Sequence, residues 1–534
     1  MTSEEISEVI RASPRSLLLT SLSLLVTVRL CLWIQRYLRL HSPPGPFPWP
    51  IVGNAAQLGC APHLYFTRMA KKYGNVFQIK LGSRTVVVLN GDVIRTALIK
   101  KGADFAGRPD FTSFRVVSNG KSMAFGNYSE QWKAHRKVAQ STVRAFTTIN
   151  MKTKKTLESH VVSEVRELLY LFLEKSAEKK YFEPRSYLII SIANVMSAVC
   201  FGKRYSYTDS EFRTIVGRND QFTKTVGAGS IVDVMPWLQY FPNPIKSIFI
   251  NFKKLNAEFY DFIQNKVSEH RKTIKSSIIR DMTDAFIFAM NRKLTGPLGV
   301  FLDKERICPM ITDIFGASQD TLSTALQWII LILVRFPDVQ ARLREEVDKV
   351  VDRSRLPTIE DQSQLPYVMA FLHEVMRYTS FIPVTIPHAT TNNTTIEGYH
   401  IPKGTVVFIN QWSVNHDPGR WMNPEVFNPL RFLDASGALD KDLSSNVLIF
   451  SMGKRRCIGE ELSKIKLFLY TSLLAHQCLF SADPESPPKM DFEYGLSLKP
   501  KNFKITVTHR DTMDLLDSSV EKLLDGVKTE DRAG

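Results

Sequence analysis

Cys457 lies in a short stretch whose residue types favour a reactive thiolate. Gly453 stands four residues before it, Gly459 two residues after it, and Arg455 supplies a positive charge. Glycine permits a left-handed turn or a close approach of the backbone to another group. Apolar residues then recur at helical spacing, at Leu462, Ile465, Leu469 and Leu473. Cys457 is therefore predicted at a helix N-terminus, where the dipole favours the thiolate form that binds metals.

The ten residues from Phe450 to Gly459 resemble the haem-binding loop of the cytochrome P450 family, F-x-x-G-x-R-x-C-x-G, and match every fixed position. A buried structural cysteine, the alternative, would explain the thiol but neither the glycines nor the arginine. The resemblance implies a mainly α-helical cytochrome P450 fold with small β-sheets. It also implies a haem b with axial Cys457 thiolate and haem-binding residues Phe450, Gly453, Arg455 and Gly459.

A buried haem carries two propionates, which require cations and hydrogen-bond donors around them. Trp132 and Arg136 are four residues apart, on one face of a predicted helix. They resemble the W-x-x-x-R motif of the family, whose members bind a propionate. The same resemblance implies that Arg108 and His388 complete this set with Arg455.

A second pair of motifs suggests a structural network. Glu374 and Arg377 are three residues apart on a predicted helix, a spacing that means little by itself. Together with Arg431 they resemble the E-x-x-R helix and P-x-R-F segment of the family. The resemblance implies a buried carboxylate between two guanidinium groups, which is stable only when all partners are present.

The element expected to activate oxygen is an apolar helix from about Ile311 to Arg335, with Asp320 and Thr321 adjacent in its middle. A threonine hydroxyl that bonds back to a carbonyl can loosen a helix, and Asp320 could connect the resulting groove to water. The segment resembles the family's A-G-x-[DE]-T motif, with Ser318 where glycine is commoner. Both residues are therefore predicted to be catalytic, as a proton relay.

The chain after its N-terminal hinge resembles vertebrate family 1 of the cytochromes P450, most closely subfamily B, with subfamily C as the alternative. The resemblance implies a monooxygenase that hydroxylates or epoxidises oestrogens, polycyclic aromatic hydrocarbons, retinoids and polyunsaturated fatty acids. It implies electrons from NADPH through NADPH-cytochrome P450 reductase. A basic face for such an acidic donor is expected from the cations that cluster in sequence near Trp132 and Cys457, which are Lys133, Lys137, Lys454, Arg456, Lys464 and Lys466. Matching segments give these substrate-binding candidates: Phe114, Val117, Phe125, Asn219, Phe222, Phe259, Ala317, Ile382, Ile386 and Ser497.

Composition limits the other functions that this chain could have. Hydrophobic residues make up 44% of its 534 residues and charged residues 23%, which predicts a large folded body. Six scattered cysteines without a C-x-x-C pair favour a reducing compartment over a disulfide framework or a zinc site. The net charge of +16 suits an anionic membrane or an acidic protein. Nucleic acid is not expected, because no RNA-binding signature or zinc-finger spacing appears.

Four parts are predicted along the chain. Residues 1–40 form a transmembrane signal-anchor, because the segment from Leu17 to Ile34 is apolar and long enough to cross a bilayer. A cleaved signal peptide is the alternative, but no small-residue cleavage site follows. Residues 41–54 form a Pro-rich hinge, 55–510 the catalytic domain, and 511–534 a polar, loosely held tail. The flanking charges do not orient the anchor.

The resemblance implies an endoplasmic reticulum membrane location with the catalytic domain facing the cytoplasm, and the mitochondrion is a second candidate. Within the domain, residues 76–81 and 85–89 are predicted to form a hairpin, and strands are expected near 405–409 and 503–507. Two other activities stay open. One is a haem-thiolate isomerase or hydroperoxide dehydratase, which needs no reductase, and the other is a non-catalytic haem sensor.

Overall fold

The computed structural model describes residues 14–39, 41–149, 151–226, 231–274, 278–294 and 299–522. Helices dominate these ranges, as predicted. Those of twelve residues or more are α1 Pro14–Arg39, α2 Pro62–Tyr73, α3 Glu130–Arg144, α4 Met151–Lys179, α5 Arg185–Phe201, α6 Ser210–Val226, α7 Pro244–Thr273, α8 Met282–Leu294, α9 Ile307–Arg335, α10 Pro337–Val351, α11 Pro366–Thr379 and α12 Glu460–Gln477.

The strands form small sheets at the edges of the helical body. They are β1 Val76–Leu81, β2 Arg84–Leu89, β3 His388–Ala389, β4 Thr394–Ile396, β5 Tyr399–Ile401, β6 Val406–Ile409, β7 Cys478–Ala482, β8 Phe492–Glu493, β9 Lys499–Pro500 and β10 Ile505–His509. The largest sheet has the order β1-β2-β6-β3. The predicted hairpin is confirmed, since β1 and β2 pair antiparallel from Val76↔Leu89 to Leu81↔Arg84. The strand expected at 503–507 begins later, at Ile505, where it pairs with β7.

Helix α9 runs through the middle of the body. It begins four residues before the predicted start, and it accommodates Pro309 in its first turn, where a backbone N–H has no helical partner. Its second half is buried all round, from Leu322 to Val334, against α5, α11 and α12. The segment Lys304–Arg335 is apolar enough to cross a membrane, but 83% of its most apolar window is buried in protein. It is therefore the core helix of the domain.

Helix α1 has the opposite surroundings. The described side chains between Ser16 and Leu32 form an apolar stretch in which Leu18 is 71% exposed and Leu24 66% exposed. An apolar helix that the body leaves uncovered is consistent with the predicted membrane anchor.

The C-terminal segment is more ordered than predicted. Residues 514–522 form a helix in which Leu516 is fully buried and Val520 nearly so. Asp517 accepts hydrogen bonds from Arg166 Nε at 2.5 Å and from the Tyr170 hydroxyl at 2.7 Å. The prediction of a loosely held tail is wrong for this part, because apolar residues four apart give the helix a face that packs on the core. Residues 523–534 lie outside the described ranges.

Candidate active site

The loop before α12 presents Cys457 through a tight backbone arrangement. The Cys457 N–H donates to Phe450 O at 2.9 Å and closes the loop. Gly453 has φ +71°, and a Cβ there would lie 1.9 Å from Leu98 O, so only glycine is accommodated. At Gly459 the nearest atom to such a Cβ would be Cys457 Sγ, 3.9 Å away. Among the described residues, no protein atom excludes a larger side chain at position 459. The close approach of a macrocycle to Gly459 therefore stays a prediction.

The Cys457 side chain is exposed to solvent although protein atoms surround its sulfur on most sides. We call the space next to this thiol the cleft. Burial raises the pKa of this thiol, while the Gly459 N–H, Arg136 and Arg456 favour the thiolate. Desolvation thus opposes the thiolate form that the helix N-terminus favours. A directly bound metal cation would deprotonate the thiol outright.

Three guanidinium groups converge beside this cleft. Arg455 Nε donates to Ala106 O at 2.8 Å, and its guanidinium carbon lies 4.0 Å from the centre of the Trp132 ring. Arg136 also lies over Trp132, at 5.2 Å, and donates to Arg456 O. Arg108 donates to the carbonyl oxygens of Ile386 and Pro387, each at 2.9 Å. The structure thus brings together residues that are more than 300 positions apart in sequence.

The cluster holds positive charge without a matching carboxylate. Burial and the neighbouring Arg108 and Arg136 lower the pKa of Arg455 to about 7, and burial beside Arg136 lowers that of Arg108 to about 9. Within the described ranges, none of the three forms an ion pair with an acidic side chain. Buried cations of this kind require a bound anion. The donor set therefore fits a dianionic group such as haem with its two propionates.

His388, on β3, lies against the same cluster. Its Nδ1 is 2.7 Å from Phe105 O. Burial and the neighbouring Arg108 and Arg455 lower its pKa well below the usual value, so its ring is neutral. A neutral ring whose Nδ1 donates to a carbonyl leaves Nε2 as an acceptor.

Glu374, Arg377 and Arg431 form a buried network of charged hydrogen bonds. Arg377 donates two parallel hydrogen bonds to Glu374, at 2.7 and 2.8 Å, and both side chains are fully buried. Arg431 Nε lies 3.1 Å from Glu374 Oε2. The Nη1 atom of Arg377 donates to the carbonyl oxygens of Asn415 and Pro424. The network therefore joins α11 to the turn Pro429–Phe432 and to the segment that precedes it.

Asp320 and Thr321 have different surroundings although they are adjacent on α9. Thr321 Oγ1 donates to Ala317 O at 2.8 Å, the predicted bond to the preceding turn. Asp320 is 4% exposed, and its Oδ1 lies 2.7 Å from Lys499 Nζ on β9. Ser497 Oγ donates to Asp320 Oδ2 at 2.9 Å. Asp320 is therefore the acidic half of a buried ion pair that joins α9 to β9, and its carboxylate is almost entirely shielded from solvent.

Part of the predicted substrate-binding set lines one partly open pocket. Phe114, Phe125 and Ile386 line it, and the rings of Phe114 and Phe125 are 4.8 Å apart. The sequence-based prediction missed the other residues of two segments of its wall, which are 383–387 apart from Ile386, and 494–496. The residue types in these two segments do not by themselves indicate a binding role.

The other predicted substrate residues lie elsewhere. Ala317 is exposed on the same face of α9 as Thr321, and Ile382 is half-buried. Val117 and Phe259 pack in separate apolar clusters. Ser497 is 1% exposed and is engaged by Asp320, so its hydroxyl supports the acid instead of meeting a substrate. Asn219 and Phe222 belong to α6, but their side chains lie outside what the structure describes.

The proposed basic face needs one correction. Lys133, Lys137, Lys454 and Arg456 are exposed, whereas Lys466 is 1% exposed and lies against Met196 Sδ. Lys466 sits on the inner side of α12, so it cannot meet a protein partner. Sequence spacing alone did not separate the inner face from the outer face here.

Comparison with known proteins agrees with this geometry. Residues 43–507 match the family model described as "Cytochrome P450". The chain is 56% identical over 523 residues to cytochrome P450 1B1 of Homo sapiens, covering 96% of each chain, and 55% identical to that of Rattus norvegicus, again covering 96% of each. It is 43% identical to cytochrome P450 1A1 of Homo sapiens, covering 89% of this chain and 95% of the relative. This chain belongs to the cytochrome P450 family, which consists of haem-thiolate monooxygenases.

Proposed function

We propose that this protein uses dioxygen and NADPH-derived electrons to hydroxylate or epoxidise flat lipophilic molecules, with oestrogens, polycyclic aromatic hydrocarbons, retinoids and polyunsaturated fatty acids as substrate classes. The observation that carries the proposal is the cluster of Arg108, Arg136 and Arg455, which lacks an acidic partner among the described residues and lies beside Cys457. A carboxylate-bearing macrocycle bound through Cys457 would supply both the missing anion and the metal.

A haem held there by Cys457 would supply dioxygen activation, since thiolate ligation favours cleavage of the O–O bond. The chain's own residues bind and orient this group. Arg108, Arg136 and Arg455 would hold the propionates, and Trp132 keeps the Arg455 guanidinium in place by stacking at 4.0 Å. The loop closed by Cys457 and Phe450 fixes the sulfur.

Proton supply would depend on α9. The Thr321 hydroxyl donates its hydrogen to Ala317 O. Its oxygen is therefore still able to accept a hydrogen bond from a proton donor. Asp320 is the nearest acid in sequence and is held by Lys499 and Ser497. Lys499 contacts Asp320 Oδ1 and Ser497 contacts Oδ2, so a proton route through this carboxylate would involve one of these two partners.

The wall of the pocket supports a preference for flat apolar substrates. Phe114 and Phe125 present two rings in an offset, tilted arrangement, and Ile386 adds an aliphatic surface. Aromatic rings in this arrangement bind fused ring systems through stacking and edge contacts. Size and shape would then select the substrate more than hydrogen bonding.

Membrane location is supported by two apolar surfaces. The described part of α1 is exposed, and a loop of the body exposes Trp237, Tyr240 and Phe241. We infer an endoplasmic reticulum membrane with a cytoplasmic catalytic domain. The exposed cations Lys133, Lys137 and Lys454 support docking of an acidic electron donor, the reductase.

The test is turnover by the purified full chain with oestradiol, with and without NADPH and reductase. Hydroxylated product that appears only with both additions supports the proposal. Hydroxylated oestradiol formed without NADPH would contradict the proposal, and rearrangement of a fatty-acid hydroperoxide without NADPH would point to an isomerase or a hydroperoxide dehydratase. No product from any of the four substrate classes would point to a sensor.

The Thr321→Ala variant tests the proton route. We expect hydrogen peroxide to rise at the expense of product, because the hydroxyl that positions the proton donor is removed. Thr312→Val is the matched control, since Thr312 makes the same bond, to Cys308 O at 2.8 Å, on the same helix. Equal coupling of NADPH use to product in both variants would remove the proton-relay role from Thr321.

A further inference from the structure

Asp313 lies on α9 two turns before Thr321, and neither sequence motif nor pocket identifies it. Asp313, Ala317 and Thr321 follow one another at four-residue spacing, so they share one face of the helix, about 12 Å from end to end. Asp313 accepts three hydrogen bonds from one loop. Its Oδ1 accepts from Ser122 Oγ at 2.7 Å, and its Oδ2 accepts from the N–H groups of Met123 and Ala124 at 2.6 and 3.0 Å.

The opposite end of one of these peptide units faces the cation cluster. The peptide unit between residues 123 and 124 points its N–H at Asp313 and its carbonyl oxygen at Trp132 Nε1, 2.8 Å away. Arg455 also donates to this oxygen, at 3.4 Å. Because N–H and C=O point in opposite directions across a trans peptide, this unit is held between an anion and the cations.

The next peptide unit repeats the arrangement through a hydroxyl. The N–H of Phe125 donates to Ser122 Oγ at 3.2 Å, and Ser122 in turn donates to Asp313. The carbonyl oxygen at the other end, that of Ala124, accepts from Arg108 Nε at 2.9 Å. Two consecutive peptide dipoles are thus aligned by one carboxylate, and each stabilises a cation.

Phe125 lies in the same loop and lines the pocket, so the carboxylate also fixes a wall residue. Burial raises the pKa of Asp313 to about 6, and its three donors oppose that rise. The carboxylate is therefore largely ionised at neutral pH, the state that accepts all three bonds.

We propose that Asp313 is a positioning residue that couples the side of α9 that carries Ala317 and Thr321 to the Arg108 and Arg455 guanidinium groups, and to Phe125, through the loop of residues 122–126. The proposal deepens the proposed function and rests on it where the haem and the substrate are concerned. Asp313 acts through peptide dipoles and is not itself a catalytic residue.

The experiment compares Asp313→Asn and Ser122→Ala with the control Glu346→Gln in the full, haem-loaded chain. Glu346 accepts two backbone N–H groups, from Tyr367 and Val368 at 2.8 and 2.9 Å, so this control removes an equivalent charge at a helix start remote from the cluster. The readouts are hydrogen exchange of residues 122–126, haem transfer to apomyoglobin, and the ratio of product isomers.

For Asp313→Asn we expect the rate of amide hydrogen exchange at residues 123 and 124 to rise about tenfold, because each N–H loses a hydrogen bond to a charged acceptor. Haem transfer should accelerate and the isomer ratio should shift. Ser122→Ala should affect residue 125 alone. Unchanged exchange in the loop, or haem transfer no faster than in Glu346→Gln, would overturn the proposal. Failure of the proposed function would appear separately, as a wild-type carbon monoxide adduct lacking the thiolate-ligated spectrum, while the exchange readout would still decide the role of Asp313.

Discussion

At the scale of single residues, burial decides the chemistry of the site. Cys457 has a helix N-terminus and two guanidinium groups near it, yet desolvation raises its pKa. Arg455 is a base that ordinarily never loses its proton, yet burial among like charges lowers its pKa to about 7. Both residues are unfavourable as isolated groups. A single ligand that carries a metal cation and two carboxylates would stabilise both, which is why the two observations support one function.

Lys499→Met should destabilise the domain strongly, because it leaves the buried Asp320 carboxylate without its cation. A loss of about 3–5 kcal/mol in the free energy of unfolding is expected for breaking such a buried pair. Lys499→Arg should lose less, since it keeps the charge. Urea unfolding of the two variants provides the measurement.

The double variant Lys499→Met/Asp320→Asn controls for lost packing. It should recover a large part of the stability, because the uncompensated charge is gone. If the double variant is as unstable as the sum of the two single variants, the ion pair contributes nothing specific.

At the scale of elements, side chains fix how the helices meet the irregular segments. The Glu374 carboxylate on α11 accepts from Arg377, from Arg431 and from the Asn428 N–H, and so connects a helix to a stretch without regular structure. In the same way His270, near the end of α7, contacts Asp281 just before α8, with Nε2 and Oδ2 2.6 Å apart. These contacts substitute for the backbone pairing that the connecting segments lack.

Glu374→Ala should lower both stability and haem content. Two buried guanidinium groups lose their anion, for which a cost of about 3–5 kcal/mol is expected. The control is Glu178→Gln, which removes an exposed ion pair of the same three-residue spacing, with Lys175. Haem per chain and thermal unfolding should not change in the control. Normal haem content in Glu374→Ala would show that the network is dispensable.

The His270 contact predicts a pH-dependent contribution to stability. Burial lowers the pKa of His270. The hydrogen bond and the negative charge of Asp281, helped by Asp284, raise this pKa by more than burial lowers it, so the net shift is upward from 6.5. Stabilisation is then fully present below pH 6.5 and is lost as the pH rises through the folded-state pKa. Arg280, which pairs with Asp284, stays charged throughout.

The measurement is the difference in unfolding free energy between wild type and His270→Gln at several pH values. It should be largest in acid and shrink above pH 6.5. A difference that grows with pH would contradict the assignment.

At the scale of the whole molecule, the C-terminal segment is part of the folded body. Asp517 binds Arg166 and Tyr170 on α4, and Arg510 binds Asp348 on α10 at the start of this segment. The family match ends at residue 507, so these contacts extend beyond it. The segment therefore packs against α4 and α10.

A chain ending at residue 512 should therefore be less stable than a chain ending at residue 522. Loss of Leu516 alone is expected to cost about 2–5 kcal/mol, the range for removing a buried leucine side chain. Thermal unfolding of both truncated chains gives the comparison. Equal melting temperatures would show that the buried Leu516 contributes nothing.

Short motifs in the sequence were sufficient to predict the fold class, the loop that carries Cys457 and the hairpin of β1 and β2. The turn at Gly453, the helix after Cys457 and the strands at 76–81 and 84–89 depend on neighbours within a few positions, so local residue types specify them. The sequence alone also gave the spacing of Trp132 and Arg136 and of Glu374 and Arg377. It did not show which charges are buried, as the error over Lys466 illustrates.

What the amino-acid sequence determined by itself was therefore the local geometry: a cysteine before a helix, an acid beside an alcohol in an apolar helix, and an exposed apolar N-terminal segment. The tertiary structure decided the partners of these residues. It joined Asp320 to Lys499, Asp313 to Ser122 and the 123–124 peptide unit, and Arg108 to Arg455 through one loop. The physical reason is that hydrogen bonds and charges act over a few ångströms in space, while the residues that share them are separated along the chain by up to several hundred positions.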